Sequence, residues 1–175
     1  NQWLKQHNSP YKISKGYGMT EVAAATCATS VDRVNKIGSI GNPFVYTDFG
    51  IFKLSDDENH IYNENDELRY NQLGEICMSG PNTMIGYLDN EAEEKKVIKI
   101  HEDGKKWVHS GDIGYIDEDG CLFFEDRVKN IMALNSGFKV YPDKIEKVLM
   151  KNPKVDKCKV IGIKDTESYQ GMKPL

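Results

Sequence analysis

The residues best suited to chemistry lie in two short stretches of the chain. The first, GYGMTE from Gly16 to Glu21, combines two glycines, an aromatic ring, a hydroxyl and a carboxylate. Glycines let a ligand approach the backbone, an aromatic face can stack on adenine, and a carboxylate oxygen can hold Mg²⁺. With the Thr20 hydroxyl for a phosphate, these are the groups that an ATP site needs. The alternative is structural, because Thr20 and Glu21 ahead of Val-Ala-Ala-Ala also resemble the start of a helix.

The second stretch, from Trp107 to Glu146, holds two acidic turns, a lone arginine and a glycine-rich loop between short apolar runs. The residues from His109 to Asp112 are predicted to form a tight turn in which the glycine presents the carboxylate. An ionised Asp112 can only accept hydrogen bonds, and its two oxygens suit a vicinal diol such as a ribose. The acidic run from Asp117 to Gly120 is predicted to be a hairpin reversal without a catalytic role.

Local signals predict the elements that position these stretches. Strands are expected at Phe44–Leu54, Glu75–Met78, Leu122–Phe124, Ile131–Leu134, around Val140 and at Lys154–Ile163. Helices are expected at Gln2–His7, after the capping residues Asp89 and Asn90, and from Pro142 onward. The polar interval Asp56–Glu67 is predicted to be a loop.

Composition favours an ordinary water-soluble protein, with 39% apolar and 29% charged residues. No apolar run approaches the ~20 residues of a membrane helix, so no integral membrane segment is predicted. The N-terminal sequence NQWLKQHNSP lacks the apolar core of a signal peptide, and a cytoplasmic location is therefore expected. The four cysteines are widely spaced, which argues against a zinc site and predicts buried thiols.

Charge is unevenly distributed along the chain. Residues 1–126 hold 12 lysines and arginines against 22 aspartates and glutamates, whereas residues 127–175 hold 11 against 5. We therefore predict a domain boundary near Asp126. The basic tail can attract phosphate-bearing ligands or dock on the acidic body, or it can simply be a solvated surface. A nucleic-acid partner is not expected, because the basic residues are mostly lysines without aromatic stacking partners.

Six motifs, taken together, resemble the adenylate-forming superfamily of acyl-CoA and aryl-CoA synthetases, luciferases and peptide-synthetase adenylation domains. They are GYGMTE, GSIGNP from Gly38, GEICMSGP from Gly74, GYLDNEAE from Gly86, HSGDIGYIDEDG with the following EDRVKNIMALNSGFKVYP, and PDKIEKVL from Pro142. The resemblance covers nearly the whole chain. It implies a family that activates a carboxylic acid with ATP as an acyl adenylate and, in many members, transfers the acyl group to CoA.

The resemblance also implies roles for the first motif. Gly16, Tyr17, Gly18 and Thr20 would bind the nucleotide, with Tyr17 stacked on adenine and Thr20 against a phosphate. Thr20 and Glu21 would be the catalytic residues of this segment. Glu21 would in addition be the ligand of Mg²⁺.

For the second stretch, the resemblance places Asp112 on the two ribose hydroxyls and Arg127 on the same nucleotide. The small C-terminal domain of the family rotates about a hinge, and the hinge position here is Lys129. Rotation would carry the loop of Ser136, Gly137 and Phe138 toward the CoA tunnel. From the residues alone, Gly137 is more simply a hairpin glycine.

The fold expected from the resemblance is α+β. Residues 1–126 would be the C-terminal part of the large AMP-binding domain, a distorted β-barrel subdomain, and residues 127–175 the start of a truncated α+β lid. The phosphate loop and the catalytic lysine of the family would lie outside this chain, which is therefore expected to be an inactive fragment. Lys144 and Asn130 depart from the common pattern, in which acidic residues are usual.

The function expected for the parent protein is that of an AMP-forming ligase that joins a fatty or aryl acid to CoA. His109 and Ser110 precede Gly-Asp here, whereas peptide-synthetase domains more often have a basic residue and a threonine at these positions. ATP, Mg²⁺ and CoA are the implied cofactor and co-substrates. The alternatives are an enzyme that loads a carrier protein and a non-catalytic β-rich binding module. The identity of the acid and the oligomeric state are not indicated by the sequence.

Overall fold

The computed structural model describes residues 2–10, 13–29, 33–134, 138–164 and 172–174. The described helices are α1 (Gln2–Gln6), α2 (Glu91–Val97) and α3 (Pro142–Leu149), with 3₁₀ turns at Thr20–Val22 and Val128–Asn130. The described strands are β1 (Gly16–Tyr17), β2 (Cys27–Ala28), β3 (Asn42–Pro43), β4 (Asp48–Phe52), β5 (Gly74–Ser79), β6 (Ile98–Ile100), β7 (Lys106–Ile116), β8 (Leu122–Arg127), β9 (Met132–Ala133), β10 (Lys139–Val140), β11 (Gly162–Lys164) and β12 (Met172–Pro174).

Strand β5 is the central strand of the main core. All six of its residues are buried, and consecutive residues enter three different apolar clusters. Ile76 packs with Ile51 and Leu122, Cys77 belongs to an aromatic cluster, and Met78 packs with Val108. A strand that is buried on both faces favours a continuous apolar run over alternation, and Ile76, Cys77 and Met78 form such a run at the centre of β5.

Strand β7 organises the sheet around β5. The strand order is β4-β5-β7-β6, and β8 pairs with β7 as well. One long strand, β7, therefore contacts three neighbours. Among the described residues, the sheets of five, three, two and two strands show no closed barrel, and the distorted β-barrel expected from the resemblance stays a prediction.

The predicted tight turn from His109 to Asp112 is wrong, because β7 runs without interruption through these residues. Gly111 adopts a φ of +68°, which lies in the left-handed region that favours glycine. No atom would crowd a Cβ at this position, so backbone geometry and not space accounts for the glycine. The local signal for a turn thus marks a distortion within a strand.

Other local predictions are confirmed. The Asn90 side chain accepts a hydrogen bond from the backbone N–H of Glu93 and caps α2, as its position predicts. The reversal at Asp117–Gly120 joins β7 to β8, with Asp117 N–H donating to the Cys121 carbonyl at 3.0 Å. None of the helices in the described ranges has the length and apolar character needed to cross a membrane.

The chain divides into two compact units. One contains Asn1–Ser110 and Gly114–Phe124, and the other contains Gly111–Ile113 and Glu125–Leu175. The second unit includes α3, which begins at Pro142 as predicted, and two short antiparallel pairs, β9 with β10 and β11 with β12. The strand predicted over Lys154–Ile163 is wrong for most of its length, since only β11 is regular and the residues before it form no regular secondary structure. Apolar alternation there predicted a pairing that no neighbouring strand supplies within the described residues.

Candidate functional site

The GYGMTE motif forms a tight, backbone-strained loop. Thr20–Val22 is a single 3₁₀ turn, followed by Ala23 and Ala24 with φ of +54° and +83°. Two consecutive alanines in the left-handed region cost about 1–3 kcal/mol each, a strain that typically accumulates at functional loops. The helix that Thr20 and Glu21 could begin is therefore limited to one turn. The loop instead displays these two side chains at a sharp corner.

Gly18 makes the corner possible. A Cβ at this position would lie 1.8 Å from the carbonyl oxygen of Ala24 and 2.7 Å from the Cα of Ala25. The backbone of the returning segment thus occupies the space of a side chain. Gly16 differs, because a Cβ there would make an ordinary 3.4 Å contact with the Cys27 carbonyl oxygen. The two glycines of the motif therefore have different structural roles.

Glu21 is held by a residue of another motif. The Tyr87 hydroxyl donates a 2.5 Å hydrogen bond to Oε1 of Glu21, and this bond with burial raises the pKa of Tyr87 to about 12. Tyr87 belongs to GYLDNEAE, a motif that supported the family resemblance without a role for the tyrosine. The sequence analysis assigned no role to Tyr87. A hydroxyl-bearing aromatic residue within a family motif was the feature that could have indicated one.

The segment before Tyr87 fixes the same turn through the backbone. The Asn82 amide donates to the carbonyl of Val22, and the Met84 N–H donates to the carbonyl of Glu21, both at 2.9 Å. These bonds satisfy carbonyls at the end of the 3₁₀ turn. The orientation of Glu21 is thus determined by contacts some sixty residues away in sequence.

The remaining residues of the motif differ in exposure. Gly16 and Tyr17 form β1, which pairs with β2, and Tyr17 is half-buried against two core clusters. Part of the Tyr17 ring is therefore committed to the core, and its remaining surface is the part that can meet a base. Thr20 is exposed.

Asp112 and Arg127 come together in the second compact unit. Arg127 Nε lies 3.2 Å from Oδ1 of Asp112, whose side chain is 9% exposed while that of Arg127 is 56% exposed. The sequence placed both residues at a nucleotide but did not predict their direct contact. A buried carboxylate beside an exposed guanidinium can accept hydrogen bonds from hydroxyl groups while the cation faces an anionic ligand.

Asp126 anchors the segment that follows. It is 2% exposed, its Oδ1 accepts from Arg127 N–H at 2.7 Å and Asn130 Nδ2 at 3.1 Å, and its Oδ2 accepts from Asp143 N–H at 3.1 Å. Because Asp143 lies in the first turn of α3, Asp126 caps this helix from a distant part of the chain. The predicted hinge residue Lys129 lies exposed in the 3₁₀ turn that Asp126 holds.

The predicted CoA loop lies largely outside the described residues. Ser136 and Gly137 are not described, whereas Phe138 is 74% exposed and its carbonyl accepts from Leu134 N–H at 2.9 Å. That bond closes the hairpin of β9 and β10. The structure thus groups Thr20 and Glu21 with Tyr87 in one unit, and Asp112 with Arg127 and Lys129 in the other.

Comparison with known proteins gives a consistent result. The family described as AMP-binding enzyme matches residues 1–88. The chain is 36% identical over 161 residues to the long-chain-fatty-acid–CoA ligase of Escherichia coli O6:H1, which covers 92% of this chain and 26% of the ligase. It is 38% identical over 159 residues to 4-coumarate–CoA ligase 1 of Glycine max, covering 88% of this chain and 50% of that enzyme.

A solved structure agrees with these relatives. The o-succinylbenzoate coenzyme A synthetase of Bacillus subtilis, in complex with ATP and magnesium ion, matches with a TM-score of 0.74 and 26% identity, over 99% of this chain and 32% of that protein. The chain thus spans about a quarter of the fatty-acid ligase and a third of the synthetase. Since the family match covers half of the chain and the fold agrees, the chain belongs to the AMP-binding enzyme family.

Proposed function

We propose that the protein carrying this chain is an ATP-dependent, AMP-forming ligase that joins a fatty or aryl carboxylic acid to CoA. The relatives named above are CoA ligases of acids of these two kinds. The observation that carries the proposal is the strained turn, in which Gly18 and Tyr87 hold Thr20 and Glu21 at one corner. A backbone strain of this size is retained where a fixed presentation of side chains is needed.

The first unit supplies groups for the triphosphate. The exposed Thr20 hydroxyl can donate to a phosphate oxygen, and the open part of the Tyr17 ring can face adenine. Glu21 fits Mg²⁺, because one oxygen is oriented by Tyr87 and a single carboxylate with substrate phosphates is a usual magnesium environment. When bound, the cation would neutralise phosphate charge at the reacting centre.

The second unit supplies groups for the nucleoside and its phosphate. Asp112 would accept hydrogen bonds from the two ribose hydroxyls, and Arg127 would contact the same nucleotide with its charge. Their 3.2 Å contact orients the carboxylate. Both interactions act by positioning and by charge, without a covalent step on the protein.

The reaction needs no side-chain nucleophile. The carboxylate oxygen of the acid attacks the α-phosphorus of ATP, the bond from that phosphorus to the pyrophosphate oxygen breaks, and an acyl adenylate forms. The CoA thiol, losing its proton, then attacks the acyl carbonyl and AMP leaves with the bonding electron pair. This chain would hold the nucleotide through both steps.

We further propose that residues 1–126 belong to the large, distorted-barrel domain and residues 127–175 to the mobile lid. Lys129 would be the hinge, and the loop of Ser136, Gly137 and Phe138 would reach the CoA tunnel. The high exposure of Phe138 leaves its ring available for a partner surface. Asp126 holds both sides of the proposed hinge and would set its resting conformation.

The test is pyrophosphate release by the protein that carries the chain, with ATP, Mg²⁺ and a panel of carboxylic acids, with and without CoA. We expect acid-dependent release, with AMP and thioester accumulating when CoA is present. Transfer to a pantetheine-bearing carrier protein but not to CoA would replace the proposed acceptor. Lack of release with every acid, together with lack of AMP binding, would support the non-catalytic binding module instead.

The 175-residue chain by itself is expected to be inactive and to bind AMP weakly. Isothermal titration calorimetry measures this directly. Tight AMP binding by the chain alone would contradict this expectation.

A further inference from the structure

A second constellation of chemically able side chains lies inside the first unit, and it includes none of the residues assigned to the nucleotide. Glu75 and Cys77 are two residues apart on β5, so their side chains share one face of the strand. His109 lies on the neighbouring strand β7. All three are deeply buried, with exposures of 8%, 0% and 5%.

Their donor atoms converge. His109 Nδ1 lies 2.8 Å from Oε2 of Glu75 and 3.4 Å from Sγ of Cys77, and the three donor atoms all lie within 4.8 Å of one another. Ligands of a tetrahedral Zn²⁺, at about 2.0–2.3 Å from the ion, are about 3.3–3.8 Å apart. The Nδ1–Sγ distance already meets this spacing, and the Nδ1–Oε2 distance would open by about half an ångström.

The charges of the three groups match a divalent cation. A thiolate and a carboxylate together carry two negative charges, and a neutral imidazole adds none. A bound Zn²⁺ would therefore leave the buried site with no net charge, which removes the main cost of burying ions. Sulfur, imidazole nitrogen and carboxylate oxygen are all zinc ligands, whereas Mg²⁺ and Ca²⁺ prefer oxygen alone.

A second histidine, His101, contacts the ring nitrogen of His109 that does not face Glu75 and Cys77. His101 Nε2 lies 3.0 Å from Nε2 of His109, and the His101 ring stacks with Tyr62 and with Trp107 at centroid distances of 5.1 and 5.2 Å. A metal-bound imidazole commonly donates its other ring N–H to a fixed acceptor, which sets the tautomer that binds the metal. His101 is positioned for that role.

A cavity gives access to this histidine. It has a volume of about 330 Å³ and is lined by His101, by aromatic side chains and by four acidic residues, Glu64, Glu67, Glu102 and Asp103. A cleft with acidic walls raises the local concentration of cations. The cavity therefore reaches His101, whose Nε2 contacts His109.

We propose that Glu75, Cys77 and His109 form a zinc site that ties β5 to β7, with His101 as a positioning residue. The wide spacing of the cysteines argued against a zinc site, because a sequence search expects ligands in short paired motifs. Here the ligands come from two strands, and only sheet pairing brings residues 75 and 109 together.

The experiment measures Zn²⁺ and Co²⁺ binding to the purified full chain after treatment with a chelator. We expect one equivalent of Zn²⁺ by native mass spectrometry, and a Co²⁺ form whose absorption shows thiolate charge transfer. Cys77→Ser should lose the bound equivalent and the charge-transfer band. The matched controls Cys27→Ser, which changes a buried thiol elsewhere, and Cys158→Ser, which changes a more accessible one, should keep both.

Two measurements separate a lost ligand from a lost fold. Zinc-edge X-ray absorption on the unmodified chain should show one sulfur ligand and otherwise nitrogen or oxygen ligands. His101→Phe, which leaves all three ligands, should weaken Zn²⁺ binding roughly 10- to 100-fold. A chain that retains no zinc, or a bound zinc that persists unchanged in Cys77→Ser, would show that the cluster is only a buried hydrogen-bond network and overturn the proposal.

Discussion

The substitution Gly18→Ala tests the account of the GYGMTE corner most directly. The added Cβ would meet the Ala24 carbonyl oxygen at 1.8 Å, whereas Cβ contacts below 3.0 Å are essentially never seen. The obstacle is backbone and cannot rotate away as a flexible side chain could. The returning segment must therefore move by at least ~1.2 Å, the difference between these two distances. Overpacking of this kind costs about 1–3 kcal/mol.

We expect the free energy of unfolding of Gly18→Ala to fall by about 2–3 kcal/mol, near the upper end of that range, because the turn is already strained at Ala23 and Ala24. The matched control is Gly16→Ala in the same motif, whose Cβ makes only a 3.4 Å contact. That variant should stay within about 0.5 kcal/mol of the unmodified chain. Urea denaturation followed by circular dichroism measures both.

A functional measurement accompanies the stability measurement. If Thr20 and Glu21 act on the triphosphate, displacement by ~1 Å should slow acid-dependent pyrophosphate release by roughly 100-fold in the protein that carries the chain. Equal stability and equal activity of the two alanine variants would refute the reasoning, because the two glycines would then be equivalent. Reduced stability with normal activity would retain the packing argument and remove the functional one.

Three further predictions concern contacts revealed by the fold. Tyr87→Phe removes the donor to Glu21, and pyrophosphate release at limiting Mg-ATP should fall roughly fivefold to tenfold, as expected for a partly exposed hydrogen bond to a charge. Asp126→Ala leaves three donors without their acceptor, so the free energy of unfolding should fall by about 3 kcal/mol in urea denaturation. Burial raises the pKa of Asp117, but Lys36 and nearby backbone N–H groups outweigh burial and lower it. The folded-state pKa of Asp117 therefore lies below the unfolded value of ~3.9. The contacts of ionised Asp117 stabilise the fold above that pH, and their contribution is lost as pH falls through the folded pKa.

Each of these predictions has a control. Tyr70→Phe changes an exposed tyrosine and should leave the rate unchanged. Asp126→Asn keeps one acceptor oxygen and should recover part of the stability, which a purely steric effect would not predict. Lys36→Met should make the thermal midpoint less dependent on pH below ~4, and an unchanged pH profile would remove Lys36 from the explanation.

Short-range chemistry determines several elements of this chain. The cap at Asn90, the reversal at Asp117–Gly120 and the start of α3 at Pro142 each depend on a few adjacent residues, and each is confirmed. The short run Glu75–Met78 likewise predicted the strand that β5 forms. The family motifs located Thr20, Glu21, Asp112 and Arg127, whose roles at a nucleotide stay predictions. These signals are local, so a linear reading can find them.

Tertiary structure decided what depends on distant partners. The stretch from His109 to Asp112 looked like a turn, yet pairing with neighbouring strands keeps it extended and confines the glycine geometry to one residue. The strand predicted over Lys154–Ile163 is mostly absent, because alternation of apolar and polar residues does not form a sheet without a neighbouring strand. Hydrogen bonds of a ladder need two segments, and the sequence displays only one of them at a time.

The sites follow the same division. Amino-acid types and spacing identified which residues could bind a nucleotide, but not that Tyr87 orients Glu21 or that Arg127 contacts Asp112. The spacing of residues along the sequence did not indicate the cluster of Glu75, Cys77 and His109, because its donor atoms meet only when β5 and β7 lie side by side. The sequence alone thus determined the chemical inventory and the family of the chain. The fold determined which groups touch, because distance in space between residues far apart in sequence is set by strand pairing and core packing.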